Sequence, residues 1–426
     1  MKATIQDLSR FDQMLASFDA MLQHRRQSPA SSISEKYYDL SLRYLRQARH
    51  AREEGKPLVA HSACVPPELF YAMDVVPVHI EAMANVLMAV LKEHETFLSL
   101  GKAYGLGPEI CSTHRAVAAL FTQDWAPPPD LVMWSNQVCD NTVKAVEMVL
   151  ECADVPGMFL DVPFRRTRET EQYLSEELEE AASFIAERLG RKLDMGRLVE
   201  ALENSRQVVQ LNEEISQLRK LRPTPAPNRL GYMLHTIDFY WAGTPEGVDF
   251  YRTARDELNE RAEKGQGFVP QENFRLLSIF QPMAYSWKLL DWMEREHGAC
   301  FISEPFMNSW DDMEWDFSRP FLTLAQRLYA HPTTFSMHGP ASDGLIDLVL
   351  KEAQDSKVDG AIYWAHTGCR QACAAMRMLK DVLNHRAEIP MLSVDMDLND
   401  PTFTPEDDMK NKLEGFFEML EERKGG

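Results

Sequence analysis

The chain has 426 residues, of which 45% are hydrophobic and 26% charged, enough to bury a large core and to form more than one domain. The formal net charge of −20 argues against nucleic-acid binding, and no apolar run approaches the roughly 20 residues of a membrane-spanning helix. The first residues lack the apolar core of a signal peptide, so we expect a cytoplasmic enzyme. In that compartment the seven cysteines are expected to bind metal, to act in catalysis or to be buried, rather than to form disulfides.

The hydrophobic pattern changes three times along the chain. Residues 1–57 have the spacing of amphipathic helices, and residues 58–167 alternate apolar strands with helices, which is typical of a parallel α/β domain. Residues 168–228 favour long helices closed by a proline-rich linker, and residues 229–426 return to the α/β alternation and end in a helix. We therefore predict an α/β protein with two Rossmann- or flavodoxin-like parallel-sheet domains and helical additions at the N-terminus and in the middle.

The pattern locates several individual elements. Strands are predicted at 58–61, 74–81, 130–134, 299–302, 360–364 and 391–394, and helices at 142–152, 345–353, 370–383 and 406–422.

Three cysteines lie where a loop opens a predicted helix. Cys139 and Cys369 each follow a predicted strand, and Cys111 lies between the loop AYGLGPEI and the helical HRAVAALF. Thiolate is the ligand that iron–sulfur clusters require, and the unpaired N–H groups of a helix N-terminus stabilise an anionic cluster. Their wide spacing matches no CxxC-type pattern, so spacing alone leaves a buried structural role open.

The other four cysteines are interpreted mainly as packing residues. Cys152, at the end of an apolar helix, and Cys300, inside a predicted strand, fit buried positions. Cys373 lies one turn after Cys369 and is also expected in the core. Cys64, in a loop before a helix, is the first substitute as a metal ligand, and Cys373 is the second.

Seven segments resemble the 2-hydroxyacyl-CoA dehydratase and benzoyl-CoA reductase subunit family, of the 2-hydroxyglutaryl-CoA dehydratase D-component type. They run in the family order from about residue 58 to the C-terminus. The segments are CVPPELFYAMDVVPVHIE, EICSTHRAV, PPPDLVMWSNQVCD, ENFRLL, HGACFISEPF, DGAIYWAHTGCR and IPMLSVDMDLNDPTFTPEDDMKNKLEGFFEML.

The resemblance implies an oxygen-sensitive [4Fe-4S] enzyme subunit. By position in the family motifs, the cluster ligands are Cys111 of EICS, Cys139 of QVCD and Cys369 of TGCR. The resemblance also implies a paralogous partner subunit, an acyl-CoA substrate and a separate ATP-dependent iron–sulfur activator. In agreement, the chain has no GxxxxGK[ST] phosphate loop.

In the dehydratase branch, the resemblance implies loss of water from an (R)-2-hydroxyacyl-CoA through a ketyl radical, which gives the enoyl-CoA. The reaction needs a base. Glu68, near the start of a predicted helix, is the candidate, with His61 and Ser62 as polar neighbours. The alternative for Glu68 is stabilisation of that helix N-terminus.

Other functions remain open from the sequence. The first is a subunit of an ATP-dependent benzoyl-CoA, or aromatic acyl-CoA, reductase, which the segment YRTARDELNERAEKGQGFVPQENFRLL also resembles. The others are a double-cubane-type reductase and a non-catalytic paralogue that carries a cluster.

Overall fold

The computed structural model describes residues 8–27, 31–137, 139–336 and 343–425, so the first seven residues of the predicted helical N-terminal region lie outside it. The chain divides into two compact units. Unit 1 comprises Met1–Val208, Thr236–Phe250 and Met313–Tyr329, and unit 2 comprises Val209–His235, Tyr251–Asp312 and Ala330–Gly426. The domain boundaries predicted after residues 57, 167 and 228 stay predictions.

Unit 1 is built on a four-stranded parallel sheet. Its strands are β1 (Leu58–His61), β2 (Val76–His79), β3 (Leu131–Ser135) and β4 (Gly157–Leu160), in the order β2-β1-β3-β4. Its helices are α1 (Ser9–Gln27), α2 (Ser32–His50), α3 (Pro67–Ala72), α4 (Ile80–Leu91), α5 (His94–Ala103), α6 (Ser112–Thr122), α7 (Asp140–Ala153) and α8 (Arg168–Leu189). The next three helices have residues in both units and are α9 (Met195–Arg219), α10 (Leu230–Trp241) and α11 (Pro245–Glu263).

Unit 2 is built on a second four-stranded parallel sheet. Its strands are β5 (Phe274–Ile279), β6 (Ala299–Ser303), β7 (Gly360–His366) and β8 (Met391–Met396), in the order β6-β5-β7-β8. Unit 2 also contains α12 (Lys288–His297), α13 (Pro305–Asn308), α15 (Pro332–Phe335), α16 (Asp343–Ser356), α17 (Arg370–Arg386) and α18 (Glu406–Gly425), whereas α14 (Pro320–Ala330) belongs to unit 1 except for its last residue.

The two sheets confirm the predicted α/β fold of two parallel-sheet domains. Strands β1, β5 and β7 are buried along their whole length, as expected when helices cover both faces of a parallel sheet. All six predicted strands are present, whereas β4 and β5 were not predicted. In β5 the pattern is interrupted by Arg275, whose guanidinium is buried and bonded to Glu272 at 2.6 Å and to the carbonyl of Ser356.

The strand order is the same in both sheets, and it defines the place where a ligand would bind. In each sheet the first strand lies between the second and the third, so the connections leave it in opposite directions. In doubly wound α/β folds, ligands bind in the crevice at the carboxyl ends of those two strands. The crevice lies beyond β1 and β3 in unit 1, and beyond β5 and β7 in unit 2.

Candidate metal centre

Cys111, Cys139 and Cys369 each stand immediately before a helix, at the openings of α6, α7 and α17. This confirms their predicted positions at helix-opening loops. The first backbone N–H groups of a helix have no partner within the helix, and they point towards the residue that precedes it. Each thiol is therefore placed where N–H donors and the helix dipole favour a negative charge.

Cys139 and Cys369 occupy equivalent positions in the two sheets. Cys139 follows the third strand of unit 1, and Cys369 follows the third strand of unit 2. The Cys369 sulfur also accepts a hydrogen bond from the first turn of its helix, donated by the backbone N–H of Ala372 at 3.5 Å.

Within unit 1 the thiols of Cys111 and Cys139 are near enough to interact electrostatically. Burial, together with negative charge on Cys111, raises the pKa of Cys139 to about 12. The Cys139 thiol is therefore protonated at neutral pH in the chain alone. A cation bound by both sulfurs would displace their protons, because metals bind cysteine as thiolate.

His114 lies beside this pair of thiols, in the first turn of α6. Burial favours the neutral imidazole, but the neighbouring Cys111 and Glu81 outweigh burial and raise the pKa of His114 to about 10. Burial likewise opposes ionisation of Glu81, yet the hydrogen bond with His114 holds the pKa of that carboxyl below its usual value. A buried, charged His–Glu pair therefore lies next to Cys111.

Two further histidines end adjacent strands of the unit 1 sheet. His61 of β1 and His79 of β2 are register partners, and their ring centroids are 5.2 Å apart. Burial, with a contribution from His79, lowers the pKa of His61 to about 3, so its imidazole is neutral. The carboxyl edge of this sheet thus carries several buried titratable groups, which is common at functional sites.

Glu68, the candidate base, belongs to a buried network of charged groups in unit 1. Its carboxylate accepts a hydrogen bond from Ser205 at 2.8 Å and lies 2.8 Å from Nε of Arg327. Arg327 in turn donates to Asp238 at 3.0 Å. The packing is close, because a Cβ added at Gly243 would lie 2.6 Å from Cγ of Glu68. Glu68 is therefore held rigidly, and its role as a base stays a prediction.

The predicted burial of the remaining cysteines is right for Cys300 and wrong for Cys152 and Cys373. Cys300 is buried in β6, as expected, but Cys152 and Cys373 are exposed. Both stand on amphipathic helices, where a shift of one position turns a residue from the core to the surface. Cys64 packs in the hydrophobic core of unit 1 and has a positive φ of 61°, a conformation that L-residues rarely adopt.

The donor set fits an iron–sulfur centre better than a hard cation. In the described part of the chain, no three or more His, Cys, Asp or Glu side chains converge as a complete metal site. The pair that unit 1 does bring together consists of two sulfurs, which select soft metals, and each precedes a helix. Buried sulfurs supported by hydrogen-bond donors are the environment that iron–sulfur clusters occupy.

Sequence reasoning missed the groups that surround the predicted residues. His114 and Thr142 stand three positions after Cys111 and Cys139, and this common offset was the available signal. Arg327 had no local signal, because its partners Glu68 and Asp238 are far away in the chain.

The two parallel sheets place the chain among the α/β proteins that bind ligands at the carboxyl edge of a sheet. In this chain cysteines lie at that edge. The family model for 2-hydroxyglutaryl-CoA dehydratase, D-component, matches residues 62–420. The chain belongs to this family.

Three relatives illustrate the range of the family. The chain is 22% identical to the B-type subunit of benzoyl-CoA reductase from Thauera aromatica over 70% of this chain and 72% of the relative. It is 21% identical to the (R)-phenyllactyl-CoA dehydratase alpha subunit of Clostridium sporogenes over 88% of this chain and 93% of the relative. It is 22% identical to the (R)-2-hydroxyisocaproyl-CoA dehydratase alpha subunit of Clostridioides difficile over 91% of this chain and 95% of the relative.

These relatives confirm an enzyme subunit of the dehydratase or reductase type. Each is named as one subunit of its enzyme, which implies a partner subunit for the chain as well. Among the helices that the structure describes, none is both long and apolar enough to cross a membrane.

Proposed function

We propose that the chain is the iron–sulfur subunit of an ATP-activated radical 2-hydroxyacyl-CoA dehydratase, with Cys111, Cys139 and Cys369 as ligands of a [4Fe-4S] cluster. The observation that carries the proposal is that Cys111 and Cys139 each precede a helix and that these two helix starts are joined by the 3.0 Å bond between His114 and Thr142. Cys369 shares the helix-opening position and follows the strand equivalent to that before Cys139.

The cluster would supply a single low-potential electron to the thioester carbonyl of an (R)-2-hydroxyacyl-CoA. The resulting ketyl radical anion would expel the 2-hydroxyl group as hydroxide and leave an enoxy radical. Loss of a proton from the β-carbon would then give the ketyl radical anion of the enoyl-CoA, which would return its electron to the cluster and leave the neutral enoyl-CoA and water. In this proposal the three thiolates bind the cluster, and the helix N–H groups stabilise its negative charge.

The base that accepts the β-proton is proposed to be Glu68. Its carboxylate is fixed in one orientation by Ser205 and Arg327, which is the pre-organisation that proton transfer requires. His61 is the last residue of strand β1, and Ser62 follows it. Both supply polar surroundings at this edge of the sheet.

Two partners complete the proposed system. One is a paralogous subunit, in line with the relatives, which are named as single subunits of larger enzymes. The other is a separate ATP-dependent iron–sulfur activator that delivers the electron, in agreement with the lack of a phosphate-loop motif in this chain. We propose that the complex works in the cytoplasm.

A second candidate is an aromatic acyl-CoA reductase subunit, favoured by the match to the Thauera aromatica benzoyl-CoA reductase. The products separate the two functions. A dehydratase removes water with no net consumption of electrons, whereas a reductase consumes electrons in proportion to the cyclic diene that it forms. Anaerobic assays of the activated complex with both types of CoA thioester decide between them.

The cluster assignment is tested by replacing Cys111, Cys139 and Cys369 singly with Ala under anaerobic conditions. Each substitution is expected to reduce the iron and sulfide content and the visible absorption of the purified complex. Cys152→Ala is the matched control, because that thiol is exposed and lies at the opposite end of helix α7 from Cys139. Full cluster content in all three variants would refute the assignment.

A further inference from the structure

The junction between strand β4 and helix α8, residues 161–168, carries three arginines within the sequence PFRRTR. The first and the last of them, Arg165 and Arg168, are exposed. Within the part of the chain that the structure describes, neither of these two forms a salt bridge. Arg166 differs, because its Nε lies 2.7 Å from the Glu171 carboxylate. A chain of net charge −20 thus presents two unpaired guanidinium groups within four residues.

The backbone of the junction is fixed although these side chains are exposed. Three hydrogen bonds hold it to neighbouring parts of unit 1. They join the N–H of Val162 to the Asn136 side chain at 2.9 Å, the carbonyl of Pro163 to the Tyr329 hydroxyl at 3.0 Å, and the carbonyl of Arg165 to the Thr170 hydroxyl at 2.8 Å. A backbone ordered in advance loses less entropy when its side chains bind a ligand.

The acidic side chains near the junction have partners of their own. Asp161 accepts a hydrogen bond from Asn136 at 2.9 Å, and Glu177 accepts one from the N–H of Asp161 at 3.4 Å. Glu169 lies in the first turn of α8, where a carboxylate offsets the partial positive charge of the helix N-terminus. The charges of Arg165 and Arg168 are therefore available to an anion from outside the chain.

Three exposed aromatic rings belong to the same region. Phe164 of the junction is 51% exposed, Phe159 of β4 is 41% exposed and Tyr173 of α8 is 40% exposed. Tyr173 is tied to the junction, because its hydroxyl lies 3.2 Å from the Asp161 carboxylate. Aromatic faces stack with nucleobases, and arginine forks bind phosphate oxygens in pairs. Exposed rings next to unpaired arginines are thus suited to a phosphorylated nucleotide.

The junction lies beside the loop that carries a proposed cluster ligand. Strand β4 pairs with β3, and both end at the carboxyl edge of the sheet. Asn136, in the loop after β3, bonds both Asp161 and Val162 of the junction. Cys139 follows Asn136 by three residues. The arginines therefore stand one strand outward from the crevice beyond β1 and β3.

We infer that Phe164, Arg165 and Arg168 bind the nucleotide end of a CoA thioester, with the arginines on its phosphate groups and the Phe164 ring against its adenine. The inference rests on the proposed function, in which the substrate is an acyl-CoA. CoA carries its 3′-phosphate and its diphosphate at one end and its thioester at the other, joined by the pantetheine arm. The nucleotide can therefore stay at the edge strand while the thioester reaches the crevice.

The test measures binding of adenosine 3′,5′-bisphosphate and of CoA to the purified complex by anaerobic calorimetry. Arg165→Gln and Arg168→Gln are each expected to raise the Kd for both ligands about tenfold, because each loses a charge-assisted hydrogen bond to phosphate. Phe164→Leu should weaken both as well, since it keeps the apolar side chain but not the aromatic face. ATP has no 3′-phosphate and is expected to bind more weakly than CoA.

Arg188→Gln is the matched control. Arg188 is also exposed and lies 5.4 Å from the ring of Phe184, but at the opposite end of α8, about 30 Å from Arg168. Its Kd values should equal those of the wild type. Unchanged binding in Arg165→Gln and Arg168→Gln would overturn the inference, and so would ATP binding as tight as that of CoA. Loss of the partner subunit from these variants in gel filtration would make the region a subunit interface instead.

Failure of the proposed function has a different signature. If the cluster assignment alone is wrong, Cys111→Ala keeps its iron while the arginine variants still bind CoA more weakly. If only the nucleotide site is wrong, the cysteine variants lose iron and the arginine variants bind CoA as the wild type does.

Discussion

His114 and Thr142 join the openings of helices α6 and α7 through a bond of 3.0 Å between Nε2 and Oγ1. Each residue stands three positions after a cysteine that precedes its helix. The bond therefore links the two places in unit 1 from which a thiol reaches the carboxyl edge of the sheet.

Thr142→Val removes the hydroxyl from this link and leaves the side-chain volume almost unchanged. We expect a loss of stability of about 1–3 kcal/mol, because His114 and Glu81 each lose the buried hydrogen bond that they make with the Thr142 hydroxyl. Chemical denaturation of the anaerobically purified chain measures the effect. Thr142→Ser keeps the hydroxyl and is the control. Equal stability of the Val and Ser variants would show that the hydroxyl contributes nothing.

Glu68→Gln tests the proposed base. We expect kcat of the activated complex to fall by about 10²–10⁴-fold while the iron content is unchanged, because the amide cannot accept the β-proton. Anaerobic product formation and iron analysis on the same sample give both quantities. A folded, cluster-loaded Glu68→Gln complex with full activity would exclude Glu68 as the base.

The same position needs a control for stability, since Glu68 lies 2.8 Å from the buried Arg327. Removing one partner of a buried ion pair costs about 3–5 kcal/mol. The Glu68→Gln/Arg327→Met/Asp238→Asn triple variant removes all three charges of the network and is expected to recover part of that loss. Activity that returns together with stability would assign Glu68 a structural role instead.

Glu294 in helix α12 makes the stability of unit 2 depend on pH. Burial raises the pKa of this carboxyl from 4.5 to about 7, although the backbone N–H of Asn228 donates to it and opposes the shift. Since the folded-state pKa is the higher one, the protonated form favours folding. Its contribution is complete below about pH 4.5 and is lost as the pH rises to about 7.

Glu294→Gln should remove that dependence, which amounts to about 3 kcal/mol between the two ends of the range. Denaturation midpoints measured from pH 5 to pH 8 are expected to fall less in this variant than in the wild type. Glu296→Gln, at an exposed position of the same helix, is the control and should keep the wild-type slope. An unchanged slope in Glu294→Gln would contradict the raised pKa.

Substitution of Gly190 and Gly298 distinguishes the cost of a left-handed backbone conformation from the cost of a steric clash. Both end a helix in the left-handed region, with φ of 66° and 59°. A Cβ at Gly190 would meet open space, whereas one at Gly298 would clash with the backbone carbonyl of Gln271. We expect Gly190→Ala to cost about 1–2 kcal/mol. Gly298→Ala should cost clearly more, and equal losses in thermal unfolding would disprove the clash.

Local patterns carried the prediction of the fold and of the cysteine positions. Alternation of apolar runs with helical spacing located β1, β3 and β7, because these strands are almost entirely buried between helices, and it also located the edge strand β8. The helix-opening positions of Cys111, Cys139 and Cys369 followed from the same local reading. Strand β5 was not predicted, because Arg275 interrupts its apolar pattern. The charge of Arg275 is neutralised by Glu272, and a local strand pattern does not reveal that contact.

The amino-acid sequence by itself determined the α/β class, the family and the three helix openings, since each depends on short-range periodicity or on ordered motifs. Only the tertiary structure decided that the helix starts after Cys111 and Cys139 lie side by side, joined by the bond between His114 and Thr142. It also decided that Glu68 pairs with Arg327 and that Cys152 and Cys373 face solvent. These contacts arise where parallel strands bring separate loops to one edge, and their partners are chosen by packing rather than by neighbours in the chain.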